Sequence, residues 1–208
     1  MGFGIIFIGY IFTVFDMGFI VNEALLVFVC KLLCFAGYLT LSFGIRKYSH
    51  YSRYAKYSLF GSVISTAAML GECAVQGLWA FGAMDQAVMV QIRTYLFPLI
   101  AVLYAATHVT LFYAIYDTGR ETGCERVKKC GVRSVAATGA FCIINVAASL
   151  PLSLGDAFYI IRYAFFLIVT AINAHTVYTA YRYICLDTEL EAERAEALKE
   201  RTIGKGNK

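Results

Sequence analysis

The sequence predicts an all-α fold: a polytopic transmembrane bundle of six helices, arranged as three hairpins. Three observations lead there. Of 208 residues, 60% are hydrophobic and only 15% are charged, where a soluble domain carries about 25% charged residues. The apolar residues gather into six runs, most near the length of about 20 residues that crosses a hydrocarbon core. The basic residues gather between alternate runs. This balance excludes a disordered chain, a disulfide-stapled secreted module and an ordinary soluble enzyme.

The first run extends from Phe3 to about Met17, with Asp16 near its end. The second covers Ala24 to Ile45 and contains Lys31. The third covers Tyr57 to Gly82 and contains Glu72. The fourth spans Val88 to Tyr116, the fifth Ser134 to Leu154 and the sixth Ala157 to Tyr183. In lipid a segment must satisfy its own backbone hydrogen bonds, so each run reads as a helix. The runs are too long and alternate too weakly for barrel strands. No basic region precedes the first run and no small-residue cleavage site follows it, so this span is expected to remain in the mature chain. The domain reading is a six-helix membrane domain over residues 1–185 and a short charged helix and tail over 186–208. In that tail Glu191–Arg194 and Glu196–Lys199 stand at helical i,i+3 spacing. It reads as a solvated extension of the sixth helix; the sharper alternative is a helix that docks a partner, either a second copy of the chain or another membrane protein.

Charge sets the orientation. Arg46, Lys47, Arg53 and Lys56 follow the second run. Arg120, Arg126, Lys128, Lys129 and Arg133 follow the fourth, and Arg182, Arg194, Lys199, Arg201, Lys205 and Lys208 follow the sixth. All but three of the 18 basic residues thus fall on one side, which the positive-inside rule makes cytoplasmic. Both termini then face the cytoplasm.

Ionisable groups within a span are functional candidates because each costs about 2.5–3.5 kcal/mol near the bilayer centre. Lys31 and Glu72 stand at about 12 and 14 Å from the outer ends of neighbouring helices. Equal depth and opposite charge suggest a pair, with Gln76 one turn beyond Glu72. Such a pair could be a structural bridge or a protonatable site. His108 and His175, on the fourth and sixth spans at similar depth, complete the candidate polar site. Together the two imidazoles could ligate a haem or join a proton relay. Arg93 and Arg162 lie near enough to the outer face to snorkel and carry little functional weight. The second helix of each hairpin opens on an acid followed by a base: Glu23 and Lys31, Asp85 and Arg93, Asp156 and Arg162. This spacing suggests a tandem repeat. The small-residue pairs Gly61/Ser65 and Ala136/Ala140 place the third and fifth helices at the centre of the bundle, with the aromatic-rich fourth and sixth outside.

No H-E-x-x-H, G-x-S-x-G or P-loop is present, so no catalytic residue, metal or cofactor is assigned and the chain is not expected to be an enzyme. Nothing points to nucleic-acid recognition. The seven cysteines follow no ligand spacing; Cys124 and Cys130 share a basic loop without a nearby loop histidine. The function read from these features is regulatory, sensing or scaffolding. A small transporter or ion-coupled carrier is the first alternative, and a bis-His haem redox protein is the second.

The opening MGFGIIFIGYIFTVF and the stretch LLCFAGYLTLSFGIRKYSHYSRYAKY resemble uncharacterised multi-pass membrane proteins of Firmicutes. These share an F-x-G-Y-x-F-T start, a Gly-Tyr in the second span and a basic, Tyr-rich loop after it. The likeness covers about the first 60 residues. It implies a location in a bacterial plasma membrane, and implies no activity or site residues.

A reporter fused after Lys208 and one fused between Gly82 and Ala87 test the orientation. The first is expected to read cytoplasmic and the second extracytoplasmic; the reverse pattern refutes the charge argument.

Overall fold

A computed structural model of the chain describes residues 2–13, 23–149 and 156–186. The described residues form six α-helices: α1 (Phe3–Thr13), α2 (Ala24–Tyr48), α3 (Arg53–Ala80), α4 (Gln86–Glu121), α5 (Glu125–Ser149) and α6 (Asp156–Ala180). α6 runs on into a π-helical turn, Tyr181–Leu186. Five of the six, α2 to α6, are long and apolar enough to cross a membrane, while α1 has 11 residues. The expected continuation of the first span to Met17, the end of the fifth at Leu154 and the helix over 186–201 fall on residues outside those described.

The basic segments differ from expectation. Arg46 and Lys47 close the last turn of α2, Arg53 and Lys56 open α3, and Arg126, Lys128, Lys129 and Arg133 lie on the first turns of α5. The connections between them are tight turns. α4 reaches 36 residues, about 54 Å at 1.5 Å per residue, well beyond the hydrocarbon. Hydropathy reports where lipid ends. The hydrogen-bond ladder continues past that point because the helix is equally well satisfied among headgroups.

Burial is inverted relative to a soluble protein. Ser58, Ser65, Thr107, His108, Ser134, Thr138 and Asn173 are buried, whereas Leu25, Phe43, Phe60, Val102, Ile143 and Ile160 are exposed on the outside. An apolar exterior around hydroxyls and amides is the arrangement lipid favours.

Each helix packs mainly on its neighbours in sequence, and α6 returns to α1. The result is a closed ring rather than a pair of central helices with others around it. α4, expected at the periphery, packs extensively on both α3 and α5. It turns Ala101, Tyr104, Thr107, His108, Leu111 and Phe112 inward. Gly61 and Ser65 of α3 do sit at a close crossing: a Cβ on Gly61 would stand 2.9 Å from Thr107 Oγ1, and Ser65 bonds the same hydroxyl at 3.0 Å. Ala136 and Ala140 point outward instead. α5 approaches α4 through Gly131, where an added Cβ would lie 2.7 Å from Tyr116 Cα. Small-residue spacing alone does not say which stripe of a helix faces a partner.

A close backbone approach at Gly9 joins α1 to α2. A Cβ on Gly9 would lie 2.6 Å from Leu41 N and 2.9 Å from Gly37 O, and one on Gly37 would lie 3.0 Å from Gly9 O. These obstacles are backbone and cannot rotate away. Gly9→Val is expected to lower stability in detergent by about 1–3 kcal/mol, the usual range for overpacking. Gly139, whose added Cβ would meet nothing within 4 Å, is the control. Thermal melts in which Gly9→Val and Gly139→Ala behave alike would contradict the packing described.

Candidate functional site

At the ends away from the basic turns, α2, α3 and α4 converge on one buried carboxylate. Lys31 Nζ lies 2.8 Å from Glu72 Oε1, with both side chains nearly excluded from solvent at 4% and 6% exposure. Arg93 Nε approaches the same oxygen at 3.8 Å from a more open position. A charge pair this deep is held by mutual attraction against a desolvation penalty of several kcal/mol per ion. Gln76, fully buried, is directed elsewhere: its amide nitrogen lies 4.0 Å from Met89 Sδ on α4. It therefore does not extend the ion pair.

One turn further inside, a cleft opens in the middle of the ring. Its lining comes from all six helices and includes Thr13, Tyr38, Met69, Tyr104, Asn145 and Arg162. The cavity measures about 40 Å³, or about 550 Å³ counted out to its open mouth. The inner volume suffices for two or three waters or one slim chemical group. Phe97, Phe141 and Phe166 give the cleft apolar walls. Arg162, expected to snorkel outward, is only 8% exposed. Its Nε donates to Asn145 Oδ1 at 2.8 Å, and its guanidinium stacks 4.8 Å from the Phe97 ring centre. A delocalised planar cation sheds water more easily than an ammonium does, which suits it to this place. Pro98 follows Phe97 inside α4. Its missing N–H takes one rung out of the helix ladder beside the cleft.

Below the cleft lies His108, fully buried. Tyr10, Tyr38 and Tyr104 surround it with ring centres 5.3, 5.9 and 4.1 Å away. Tyr38 OH stands 3.3 Å from its Nε2, while Nδ1 has no hydrogen-bond partner among the described residues. Beside it, the Asn173 amide donates to Tyr10 OH at 2.8 Å and to Thr138 Oγ1 at 2.9 Å, tying α6 to α1 and α5.

His175 is not part of this constellation. It projects to the outside of α6, where Nε2 lies 3.5 Å from Thr179 Oγ1. The two histidines therefore occupy different surroundings, one walled by tyrosines and one on the bundle's exterior, which removes the geometric basis for a shared haem. The reason is helical phase: the residues α6 turns inward are Val169, Asn173, Thr176 and Val177, and 175 falls between their stripes. Among the described residues no group of three or more His, Cys, Asp and Glu lies close enough to hold a metal ion.

Of the predicted site residues the structure thus brings Lys31 and Glu72 together, keeps His108 inside as a separate centre, and leaves Gln76 and His175 apart. It adds Arg162, Asn145, Tyr10, Tyr38 and Tyr104. The signal for the tyrosines was available: these three lie inside their spans rather than at an interfacial belt, so each hydroxyl needs a partner. Arg162 was noted only for its spacing from Asp156. The bases of the acid-then-base spacing meet partners other than its acids Asp85 and Asp156. Asn145 on α5 meets Arg162 on α6 much as Glu72 on α3 meets Arg93 on α4.

Compared with known proteins, the chain matches no family model, no curated protein and no solved structure.

Removing one member of the buried pair should cost more than removing both. Glu72→Leu, which leaves Lys31 buried without its carboxylate, is expected to destabilise by about 3–5 kcal/mol. Lys31→Met with Glu72→Leu should recover most of that loss. A double-mutant cycle by thermal unfolding in detergent checks this, and strictly additive losses would contradict direct pairing.

Proposed function

We propose that this chain is a sensing or regulatory protein of a bacterial plasma membrane rather than an enzyme. Both termini lie in the cytoplasm, and the signal is a small amphiphile received in the six-helix cleft. One observation carries the reading: the cleft touches every helix of the ring. An occupant there contacts all of the helix neighbours at once. It shifts their packing by as much as it prefers one arrangement over another. The lining specifies the occupant's chemistry. Phenyl walls suit an apolar body, and a guanidinium with tyrosine hydroxyls suits an anionic, hydrogen-bonding end. The output passes to the cytoplasmic side, where the charged segment 186–208 docks a partner.

A carrier is the second reading. It is favoured by Glu72, a buried carboxylate with two cations beside it. In a carrier, protonation of this group releases its partners and opens a path. The two readings separate in liposomes. A carrier shows ion-coupled flux that is lost in Glu72→Gln, whereas a sensor binds without flux.

Thermal shifts with decanoate, decanol and decyltrimethylammonium test the cleft directly. Decanoate is expected to raise Tm by several degrees at saturating concentration, more than either of the others. Ala101→Leu, which adds bulk to the cleft wall, should remove the difference while the chain still folds. Equal shifts from all three compounds, or an unchanged preference in Ala101→Leu, would refute an anion-selective cleft.

A further inference from the structure

At the opposite, basic end of the bundle a second cavity of about 130 Å³ opens between α5 and the end of α6. It is lined by Arg126, His175, Tyr178, Thr179, Arg182 and Tyr183. Five of these six follow one stripe of α6 and its π-helical continuation, at steps of three, four, seven and eight residues from His175. The sixth, Arg126, comes from the first turn of α5. Arg126 donates to Tyr183 OH. The guanidiniums of Arg126 and Arg182 lie 5.2 and 5.6 Å from the Tyr183 ring centre, so one ring orients two forks toward a single space. Thr179 is held in place by its own bond to the His175 carbonyl at 2.8 Å.

Among the described residues the lining holds two guanidiniums, an imidazole and three hydroxyls, and no carboxylate. Two of the described acids at this end are paired with their own helix neighbours: Glu125 with Lys128 at 2.8 Å and Asp117 with Arg120 at 2.6 Å. Paired arginine forks with hydroxyl donors match a phosphate group in both charge and geometry. The surroundings suit a phosphate that carries acyl chains. Tyr178 is exposed beside the cavity, and Leu167 and Ile168 continue an exposed apolar wall along α6 toward the bilayer centre. α5 also packs less extensively on α6 than on α4, which leaves this groove open sideways. A π-helical turn, uncommon in itself, often marks a functional position.

We propose that this cavity is a phosphate-binding site that seats the headgroup of an anionic phospholipid at the basic face of the membrane. The site is separate from the central cleft, and its failure would leave the cleft reading untouched.

The test uses the full chain in nanodiscs of phosphatidylcholine doped with phosphatidylglycerol, with retained lipid counted by native mass spectrometry. The wild type is expected to enrich phosphatidylglycerol over phosphatidylcholine, and Arg126→Gln with Arg182→Gln to reduce that enrichment roughly tenfold or more. Arg46→Gln with Lys47→Gln removes two charges at the same end but outside the cavity, and should leave most of the enrichment. Tyr183→Phe, a gentler change that removes the hydroxyl holding Arg126, should give an intermediate loss and serves if the double variant does not fold. Inorganic phosphate distinguishes the source of the ligand: weak competition at millimolar concentration supports a lipid headgroup. Full displacement by inorganic phosphate would overturn the lipid assignment. Absence of enrichment in the wild type, or equal losses from the two double variants, would overturn the site itself.

Discussion

Hydrocarbon offers no partner to a polar group, and the architecture depends on that constraint. A hydroxyl, amide or charge carried into the membrane is costly unless it finds a counterpart within the chain. Many do so locally: Thr40, Ser42, Thr66, Thr94, Thr110 and Thr118 each donate to the carbonyl four residues earlier on their own helix. Others reach across to a neighbouring helix, and these hold the helices to one another. Ser58 donates to the Thr107 carbonyl across α3 and α4, Ser134 meets Thr176 across α5 and α6, and Tyr48 meets Thr118 across α2 and α4. Single interhelical bonds of this kind contribute about 0.6 kcal/mol on average. Their larger effect is on specificity, since any other rotation of these helices would strand a donor or acceptor in lipid.

Glycine supplies the complementary half of the packing. Where Gly9 meets Gly37, backbones touch with no side chain between them. Dispersion contacts at such a distance replace the hydrophobic drive that is missing between two surfaces already in oil. The chain therefore divides its work along each helix. Small and hydroxylated residues set the spacing within the ring, and large aliphatic residues face lipid.

Much of this was legible in the sequence, and the limits of legibility have physical causes. Helix number and type could be read because burial in lipid is a property of composition, independent of partners, although only five of the six described helices are long enough to cross. The Lys31–Glu72 juxtaposition could be read because depth follows from residue count and opposite charges at one depth attract. Rotation about the helix axis could not. Small residues such as Ala136 and Ala140 suit a lipid-facing or a protein-facing stripe alike, and a lone polar residue such as His175 does not declare its face, so hydropathy could not tell that all three turn outward. Arg162 was hidden for a related reason. A cation near a helix end can extend to water or fold back onto an aromatic ring, and the ring in question, Phe97, belongs to another hairpin. Segment ends were likewise invisible, because α4 and α5 continue as helix through headgroups where hydropathy has already fallen.

The bond between Asn173 and Tyr10 joins residues 163 positions apart and has a bearing on biogenesis. The first helix leaves the ribosome long before its final neighbour exists. Until α6 is inserted, the Tyr10 hydroxyl lacks its Asn173 partner, the flank of α1 that α6 covers is open, and the ring remains a horseshoe with a lateral gap. Closure of the ring thus waits for α6, which acts as a keystone. A truncated or slowly inserted α6 would leave an open assembly intermediate, with the polar interior exposed to the quality-control proteases of the membrane.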